Sequence, residues 1–472
     1  MLFNSFDFLL FFPTVFILYW SLNRNLKAQN ILLLVSSYIF YAWWDWRFLS
    51  LIVISSIIDF TAGARIFNVT TQKGKKQWLL VSLIANLGLL SIFKYYNFFA
   101  ESFTDLVSSF GWHPNDLTLN IILPVGISFY TFQTLSYTID IYRGQFQPTK
   151  DIIAFFTYIA FFPQLVAGPI ERASNLLPQI EKQRSFKKEW FNEGVVQLLI
   201  GLFRKIVIAD SLGAYVDMVY GDVGIYNSTT ILLATFLYAF QIYYDFAGYS
   251  DIAIGTAKLM GFKFNQNFNL PYFSKSITEF WRKWHMSLSY WLRDYLYISL
   301  GGNRKGIKIT YRNLMLTMLL GGLWHGSSWN FIIWGGIHGL ALSIEKLIKS
   351  NKKLKLPNSL DFLGYFSTFS IVLLSWIFFR AQDLGTAFMA ISKIVHFDFS
   401  APFIGNSNLV TNALIMLTIG FLFDLFLFKK QIHLESFGSQ FSAVKISIIS
   451  TIIITLINLF YSTSNNFIYF QF

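Results

Sequence analysis

Long apolar runs separated by short polar loops extend along almost the whole chain. The clearest runs are Asp7 to Trp20, Ile31 to Trp44, Trp78 to Phe93, Thr229 to Tyr244, Tyr365 to Phe379, Leu409 to Phe428 and Val444 to Tyr461. As helices they can span, or nearly span, a hydrocarbon layer of about 30 Å. The pattern therefore predicts an all-α, polytopic membrane protein.

The composition agrees with this class of protein. Of the 472 residues, 54% are hydrophobic and 13% are charged, whereas a soluble domain is usually about one quarter charged. The sequence contains no cysteine, which excludes disulfides and thiolate chemistry. The first apolar run lacks a basic region before it and a small-residue cleavage site after it, so we expect a retained helix rather than a signal peptide.

The net charge of +12 comes from basic residues in the short loops between the apolar runs. Positive charge retains loops on the cytoplasmic side of a membrane, so membrane lipid, and not nucleic acid, is the expected partner. Arg24 and Lys27 follow the first run, and no lysine or arginine precedes it, which predicts an external N-terminus.

Two segments have basic loops at both ends and are predicted not to cross the membrane. The first, FFPQLVAGPIE, contains Pro163 and Pro169 and is predicted to be re-entrant. The second, Asn313 to Glu345, begins with only twelve residues up to Trp324, about 18 Å of helix, which is too short to span. His325 is therefore expected to lie partway through the membrane, before a turn and a helix from Trp329 to Glu345.

Two of the six histidines are candidates for chemistry at this depth, where an ionisable group normally has a partner, water or a function. His325 is either a functional ring or a neutral ring bonded to a backbone carbonyl. His285 lies in TEFWRKWHMSLSYWLRDYLYISLGG, whose apolar residues recur at helical spacing. Thr278 is the candidate N-cap of this helix, and Glu279 pairs with Lys283. His285 either lines an aqueous cavity shared with His325 or is an ordinary interface residue.

The remaining candidates are weaker. His338 is 13 residues after His325, about 220° around a straight helix, and is predicted to be a packing residue. The sequence has no P-loop, no HExxH and no nucleophile elbow, and the histidine spacing does not predict a metal site. The loop GGNRKG, with Asn303, Arg304 and Lys305, can offer backbone NH groups and cations to phosphates. Alternatively, it is simply a positive cytoplasmic loop.

A histidine near the middle of the membrane can take the proton of an alcohol while the alcohol oxygen attacks an activated acyl carbon. This chemistry needs no metal, no cysteine and no covalent intermediate. It does need a passage by which donor and acceptor reach one ring, and the glycines around His325 leave room for one.

Seven segments carry a resemblance to a known family. They are MLFNSFDFLLFFPTVFILYW, YIFYAWWDWRFL, LPVGISFYTFQTLSYTIDIYRG, FFPQLVAGPIER, YYDFAGYSDIAIG, FWRKWHMSLSYWLRDYLYISLGGNR and NLMLTMLLGGLWHGSSWNFIIWGGIHG. They extend from the first residue to about Arg380, and the last two are the most specific. On these segments the chain resembles the membrane-bound O-acyltransferase (MBOAT) family, in its alginate O-acetyltransferase-like bacterial branch.

The resemblance implies a ring of about eleven transmembrane helices, with re-entrant and interfacial helices around a thin central core. It implies one membrane-embedded acyltransferase domain over residues 1–472, with a catalytic core at about 121–345 and C-terminal spans at about 361–461. The near-invariant histidine of the family maps onto His325, and the second histidine maps onto His285. We expect Trp324 and Arg282, together with the GGNRKG residues, to line the passage for the donor.

The implied function is transfer of an acyl group, most simply acetyl, from cytoplasmic acyl-CoA across the cell (inner) membrane for O-acetylation of an exported or cell-envelope polysaccharide. No bound cofactor is implied, because acetyl-CoA is a donor substrate. A periplasmic or extracellular acyltransferase partner would complete the transfer. The alternative within the family is D-alanyl transfer to teichoic acid from a carrier protein.

Two alternatives belong to other classes. One is a proton-coupled transporter whose histidines relay protons, although the sequence lacks the paired repeats with broken helices that transporters often show. The other is a scaffold of the envelope machinery in which both histidines only pack.

Overall fold

A computed structural model of the chain describes residues 1–115, 117–166, 168–350, 361–397, 399–400, 404–460 and 467–468. These residues form helices and connecting segments, and none of them forms a β-strand, in agreement with the all-α prediction. The chain divides into two compact units. The first comprises Met1–Trp190 with Thr256–Asn265, and the second comprises Phe191–Gly255 with Gln266–Phe472.

We number the α-helices in chain order. The first nine are α1 (Phe6–Ser21), α2 (Leu26–Asp45), α3 (Leu49–Asn68), α4 (Gln72–Leu90), α5 (Tyr96–Ser108), α6 (Ile127–Tyr142), α7 (Ile152–Ala160), α8 (Phe162–Leu165) and α9 (Ala173–Ile180). The later ones are α10 (Lys188–Leu202), α11 (Asp210–Gly221), α12 (Ser228–Leu259), α13 (Ile277–Lys283), α14 (Met286–Trp291), α15 (Ile307–His325), α16 (Trp329–Ser350), α17 (Asp361–Arg380), α18 (Leu384–His396), α19 (Ser407–Lys430) and α20 (Ala443–Phe460). Three π-helical segments continue α4, α10 and α14, at Ser91–Tyr95, Phe203–Ala209 and Leu292–Tyr297.

Seven helical segments among the described residues are long and apolar enough to cross a membrane. They are Leu26–Asn68, Gln72–Ser108, Ser228–Leu259, Trp329–Ser350, Asp361–Arg380, Ser407–Lys430 and Ala443–Phe460. Three shorter apolar helices are Phe6–Ser21, Ile152–Leu165 and Leu384–His396. The protein is therefore a multi-pass membrane protein, and each predicted apolar run coincides with a helix over the residues that the structure describes; Tyr461, the last residue of the final run, lies outside them. This count does not confirm the predicted number of about eleven spanning helices.

The predicted re-entrant segment FFPQLVAGPIE lies in the first unit and begins at the junction between two short helices, α7 and α8. Helix α7 has nine residues and α8 has four, with Pro163 in the first turn of α8. At 1.5 Å per residue, neither helix is long enough to span a bilayer. Helix α7 ends at Ala160, just before the segment, and α8 lies within it; a re-entrant path stays a prediction.

A buried polar cluster joins α3, α4 and α6 in the first unit. The Asp59 carboxylate accepts hydrogen bonds from Ser82 Oγ at 2.5 Å and from Asn86 Nδ2 at 2.8 Å. Asn86 Oδ1 accepts one from Ser55 Oγ at 2.6 Å, and Ser82 Oγ lies 2.9 Å from Thr138 Oγ1. Hydrogen bonds of this kind link transmembrane helices where apolar side chains have lipid as an equally good partner.

In the second unit, α10 and α12 approach each other through pairs of glycines. A Cβ atom at Gly201 would lie 2.6 Å from the Gly248 carbonyl oxygen, and one at Gly255 would lie 2.7 Å from the Gly194 carbonyl oxygen. Any larger residue would push the two helices apart. The glycines therefore allow backbone contact between α10 and α12.

Buried ion pairs continue this interface into the π-helical segment after α10. Arg204 Nη1 lies 2.7 Å from Asp251 Oδ2 on α12, and Arg204 Nη2 lies 2.7 Å from Asp424 Oδ1 on α19. The Lys205 ammonium also contacts two carboxylates, those of Asp210 at 2.8 Å and Asp245 at 2.5 Å. Because a buried charge is costly without a partner, these contacts fix the three helices relative to one another.

Candidate active site

His285 and His325 lie close together in the second unit. Their ring centroids are 6.2 Å apart, although the residues are separated by 40 positions in the sequence. His285 is 0% exposed and His325 is 4% exposed. The fold thus brings both predicted histidines into one buried site.

His325 is the last residue of α15, where Gly326 leaves the helix in an extended conformation. The return helix α16 packs directly against α15. A Cβ at Gly322 would lie 2.1 Å from the Phe331 carbonyl oxygen, and one at Gly335 would lie 2.2 Å from the Met318 carbonyl oxygen. These glycines are therefore needed for backbone contact within the hairpin.

The predicted length of the helix before His325 is wrong. Helix α15 begins at Ile307, not at Asn313, and its 19 residues extend about 28 Å. Lys308 and Arg312 do not interrupt it, because long cationic side chains can reach water while their aliphatic stems lie along apolar surroundings. The helix is almost long enough to cross a bilayer, so its length alone does not place His325 at mid-membrane.

The predicted continuous helix around His285 is also wrong. Helix α13 ends at Lys283 and α14 begins at Met286, and between them His285 has φ +40° and ψ +55°, in the left-handed region. The N-cap of α13 is Ser276, not Thr278, because Ser276 Oγ accepts from Glu279 N at 3.2 Å. The predicted ion pair between Glu279 and Lys283 is present at 2.7 Å.

Aromatic rings surround both histidines. The His325 ring centroid lies 5.0 Å from those of Trp324 and Trp334 and 5.4 Å from that of Phe379. The His285 ring lies 4.6 Å from Phe246 and 5.9 Å from Trp324. Trp324, a predicted site residue, therefore contacts both rings. No local sequence pattern predicts the other three rings, which come from α12, α16 and α17.

His338 lies in a different kind of environment. Trp281 Nε1 donates to His338 Nδ1 at 3.3 Å, and His338 Nε2 lies 3.0 Å from Ser375 Oγ. Because an indole NH can only donate, Nδ1 is the acceptor and Nε2 carries the proton of the neutral ring. Ser375 Oγ in turn donates a hydrogen bond to Val372 O at 2.7 Å. These contacts agree with the predicted packing role of His338.

A cavity of about 560 Å³ opens in the second unit beside α13, α15 and α16. Its lining includes Trp281, Arg282, Leu292, Arg293, Lys346 and Lys349. Neither His285 nor His325 is among the described lining residues. The Trp281 ring is 5.7 Å from that of Trp334, which in turn contacts His325, so two indoles separate the cavity from the histidine.

The other predicted donor-site residues divide into two sets. Arg282 lines the cavity. Asn303, Arg304 and Lys305 lie in an exposed turn before α15 and are not among the described residues that line it. In the described part of the chain, no group of three or more histidine, aspartate or glutamate residues is arranged to hold a metal ion.

The helical fold, the apolar spans and the pair of buried histidines define a membrane-embedded protein with a histidine site. Sequence comparison gives its family, because residues 9–382 match the model of the membrane-bound O-acyltransferase family, MBOAT. The chain belongs to this family and is a membrane O-acyltransferase. Its resemblance to the family, first evident in the short segments, therefore extends over most of the chain.

Three relatives indicate the range of the similarity. The Pseudomonas aeruginosa protein described as "Probable alginate O-acetylase AlgI" is 45% identical over 390 residues, which cover 82% of this chain and 73% of the relative. A peptidoglycan O-acetyltransferase of Helicobacter pylori is 34% identical, covering 84% and 80%. A teichoic acid D-alanyltransferase of Bacillus subtilis is 31% identical, covering 51% and 64%.

Proposed function

We propose that the protein takes an acetyl group from acetyl-CoA in the cytoplasm and transfers it across the cell membrane for O-acetylation of an exported or cell-envelope polysaccharide. The names of the alginate and peptidoglycan relatives support acetyl as the group and a polysaccharide as the acceptor. The whole chain, residues 1–472, would act as one membrane-embedded acyltransferase with its catalytic core at about 121–345.

The observation that carries this proposal is the pair of buried rings, His285 and His325, 6.2 Å apart. In the proposed reaction His325 takes the proton of the attacking hydroxyl as its oxygen bonds to the thioester carbonyl carbon. The C–S bond then breaks, and the ring returns the proton to the leaving sulfur. His285 assists from the adjacent wall of the site, where it can orient the acyl carbonyl.

The cavity beside α13 supports entry of the donor from the cytoplasmic face. Four of its lining side chains are cationic, those of Arg282, Arg293, Lys346 and Lys349, and one, Glu345, is anionic. Glu345 pairs with Lys349, and Asp294 pairs with Arg293. Arg282 and Lys346 would therefore be the main contacts for phosphates. Coenzyme A carries several phosphate charges, which such a cationic rim would attract. Its pantetheine arm would then extend along the apolar wall towards Trp281, and the Trp281 and Trp334 indoles would have to move before the thioester reaches His325.

The rings around His325 support a short acyl group. Trp324, Trp334 and Phe379 all have ring centroids within 5.4 Å of that of the histidine. An acetyl group adds two carbons to this space, so of these three rings only Trp334, on the donor's path, would have to move, whereas a long chain would also have to displace Trp324 and Phe379. The closely packed interior of a protein resists such displacement.

The test uses membrane vesicles with the cytoplasmic face outward, prepared from cells that make the envelope polymers and the natural partner proteins. Radiolabelled acetyl-CoA supplied outside should deliver label to polysaccharide inside. His325→Ala should abolish labelling, whereas His396→Ala, a control at an exposed histidine on α18, should not. Equal labelling by the His325→Ala protein would overturn the assigned role of that ring.

The same vesicles separate the alternatives. D-alanyl transfer would require labelled D-alanine on a carrier protein and would give no label from acetyl-CoA. A proton-coupled transporter or a scaffold would give no covalent label from either donor. If an extracellular partner relays the acyl group, vesicles without that partner should leave the polysaccharide unlabelled. If the protein transfers the group directly, the same vesicles should still label it.

A further inference from the structure

The break between α13 and α14 is an unusual place for a histidine. His285 has φ +40° and ψ +55°, a left-handed conformation that residues with a side chain seldom adopt. Such strain persists only where surrounding contacts hold the backbone in place, and it is concentrated at functional sites. Contacts on either side of His285 hold this backbone conformation.

Asn267 supplies most of these contacts on the side of α14. Its carbonyl oxygen accepts a hydrogen bond from Met286 N at 2.8 Å, and this bond satisfies the first NH group of α14. Its side-chain Oδ1 accepts from Ser287 Oγ at 2.7 Å and from Ser287 N at 3.4 Å. A residue 18 positions before His285 in the sequence thus caps the helix that follows it.

The Asn267 side chain is itself fixed. It is 1% exposed, and its Nδ2 donates to Ser250 Oγ on α12 at 3.0 Å. An asparagine amide provides both the acceptor for Ser287 and the donor for Ser250, which no aliphatic side chain of similar size can do. Asn267 therefore connects the start of α14 to the long helix α12.

The same α12 contact extends to the histidine ring. Phe246, one turn before Ser250 on α12, has its ring centroid 4.6 Å from that of His285. Phe268, next to Asn267, is stacked with the His285 ring at 6.4 Å and lies 5.0 Å from Phe246, so the two phenyl rings approach the histidine from the same side. The Asn267 bonds and these two rings together set where the His285 ring lies relative to His325.

We propose that Asn267 is a positioning residue of the transfer site, which holds the left-handed break at His285 so that its ring faces His325. The expected effect on the rate of acetyl transfer rests on the proposed function. The expected effect on the position of the His285 ring does not depend on the donor. Without the Asn267 side chain, Ser287 loses both of its hydrogen bonds to Oδ1, whereas the bond from Met286 N to the Asn267 carbonyl oxygen remains; the break at His285 can then relax towards an ordinary helical conformation.

The kinetic test is Asn267→Ala, compared with Asn269→Ala as a matched control. Asn269 is exposed, and its contact with this region is through the backbone, where its NH donates to Lys283 O at 2.9 Å. We expect Asn267→Ala to lower kcat for acetyl transfer by about 10- to 100-fold, since a displacement of about 1 Å can cost 10²-fold, while KM for acetyl-CoA changes less than about twofold. Asn269→Ala should behave as the wild type.

A double-mutant cycle with Ser287→Ala tests the specific bond. Ser287→Ala should give a smaller loss of kcat than Asn267→Ala, and the double variant should lose no more than Asn267→Ala alone. Fully additive losses would overturn the proposal. So would a loss in Asn267→Ala that is explained entirely by a smaller folded fraction, measured by size-exclusion chromatography and thermal unfolding.

A spectroscopic readout separates this proposal from the proposed function. With ¹³C-labelled histidine in the protein, which has six histidines, the ring signals of His285 and His325 can be assigned by substitution. Asn267→Ala should shift both signals, and Asn269→Ala should shift neither. Unchanged signals in Asn267→Ala would overturn the positioning role, whereas a wild-type protein that does not transfer acetyl would overturn only the proposed function.

Discussion

His325 and His338 belong to the same helical hairpin and are both buried, but their surroundings differ. Both rings contact one indole, Trp334, whose ring centroid is 5.0 Å from His325 and 4.9 Å from His338. His338 is bonded through both nitrogens, to Trp281 and Ser375. His325 is surrounded by aromatic rings and by a second histidine, His285.

The two bonded nitrogens of His338 suit a packing role, and the proposed function assigns the chemistry to His325. Hydrogen bonds to fixed neighbours use both His338 nitrogens and select one neutral tautomer, so this ring serves the fold. The contacts of His325 set the plane of its ring and place it beside His285, which suits a group that exchanges a proton with a reactant. The following predictions test the comparison, beginning with the largest expected effect.

The largest effect should come from the ring that we assign to chemistry. His325→Ala should lower acetyl transfer by about 10²- to 10⁴-fold, the usual contribution of a general base. Its thermal unfolding should remain close to that of the wild type, since the aromatic wall is retained. A stopped transfer assay combined with unfolding in detergent would measure both quantities. If the loss of transfer equals the loss of folded protein, His325 serves packing as His338 does, and the contrast between the two histidines fails.

A second large effect should appear in stability alone. Asp424→Ala removes one partner of the buried Arg204 guanidinium, which bonds Asp424 Oδ1 at 2.7 Å. Removing one partner of a buried pair typically costs about 3–5 kcal/mol, because the remaining charge is left without full compensation. We expect a lower unfolding temperature and a lower yield, with transfer per folded molecule retained. An unfolding temperature equal to that of the wild type would show that the ion pair is not needed for the fold.

The other histidine of the hairpin should have an intermediate effect. His338→Ala leaves the Trp281 indole NH and the Ser375 hydroxyl without this partner, at a cost of about 1–3 kcal/mol. Transfer per folded molecule should stay near the wild-type value. Unfolding and transfer measured on one preparation would decide this, and a loss of transfer as large as that of His325→Ala would break the comparison.

The smallest effect should come from a charge pair outside the site. Lys275 Nζ lies 2.5 Å from Asp361 Oδ2, with both side chains nearly half exposed. The Asp361 carboxylate raises the pKa of Lys275 through this hydrogen bond. Because water and salt screen an exposed pair, Lys275→Ala should cause no measurable change in unfolding temperature or transfer. A clear loss at low salt that disappears at high salt would reveal a larger contribution.

Local sequence patterns predicted most of the helices. The apolar runs in α1, α2, α17, α19 and α20 have clear polar ends, and the structure places helices there. The Glu279–Lys283 pair was also predictable, since residues four apart lie on one face of a helix. The N-cap of α13, Ser276, lies three residues before Glu279, which is the spacing of a capping box. The sequence therefore contains the correct capping pattern, and the prediction of Thr278 is wrong.

Longer-range features were not predictable in this way. The break at His285 falls within a run of apolar residues at helical spacing, and its support comes from Asn267 and Ser250, 18 and 35 positions earlier. The early start of α15 was missed because its first turns carry Lys308 and Arg312, which are typical of a loop. Both errors concern segments where neighbouring elements decide the backbone conformation.

The sequence by itself determined the class of protein and most of the helical spans, because hydrophobic free energy and helix formation depend mainly on residues close together in the chain, and it named His285 and His325 as the candidate site residues. Only the tertiary structure decided that His285 and His325 meet, that His338 is bonded elsewhere, and that two indoles separate the cavity from the site. These outcomes depend on contacts between residues tens to more than a hundred positions apart, and such contacts form only when the helices pack.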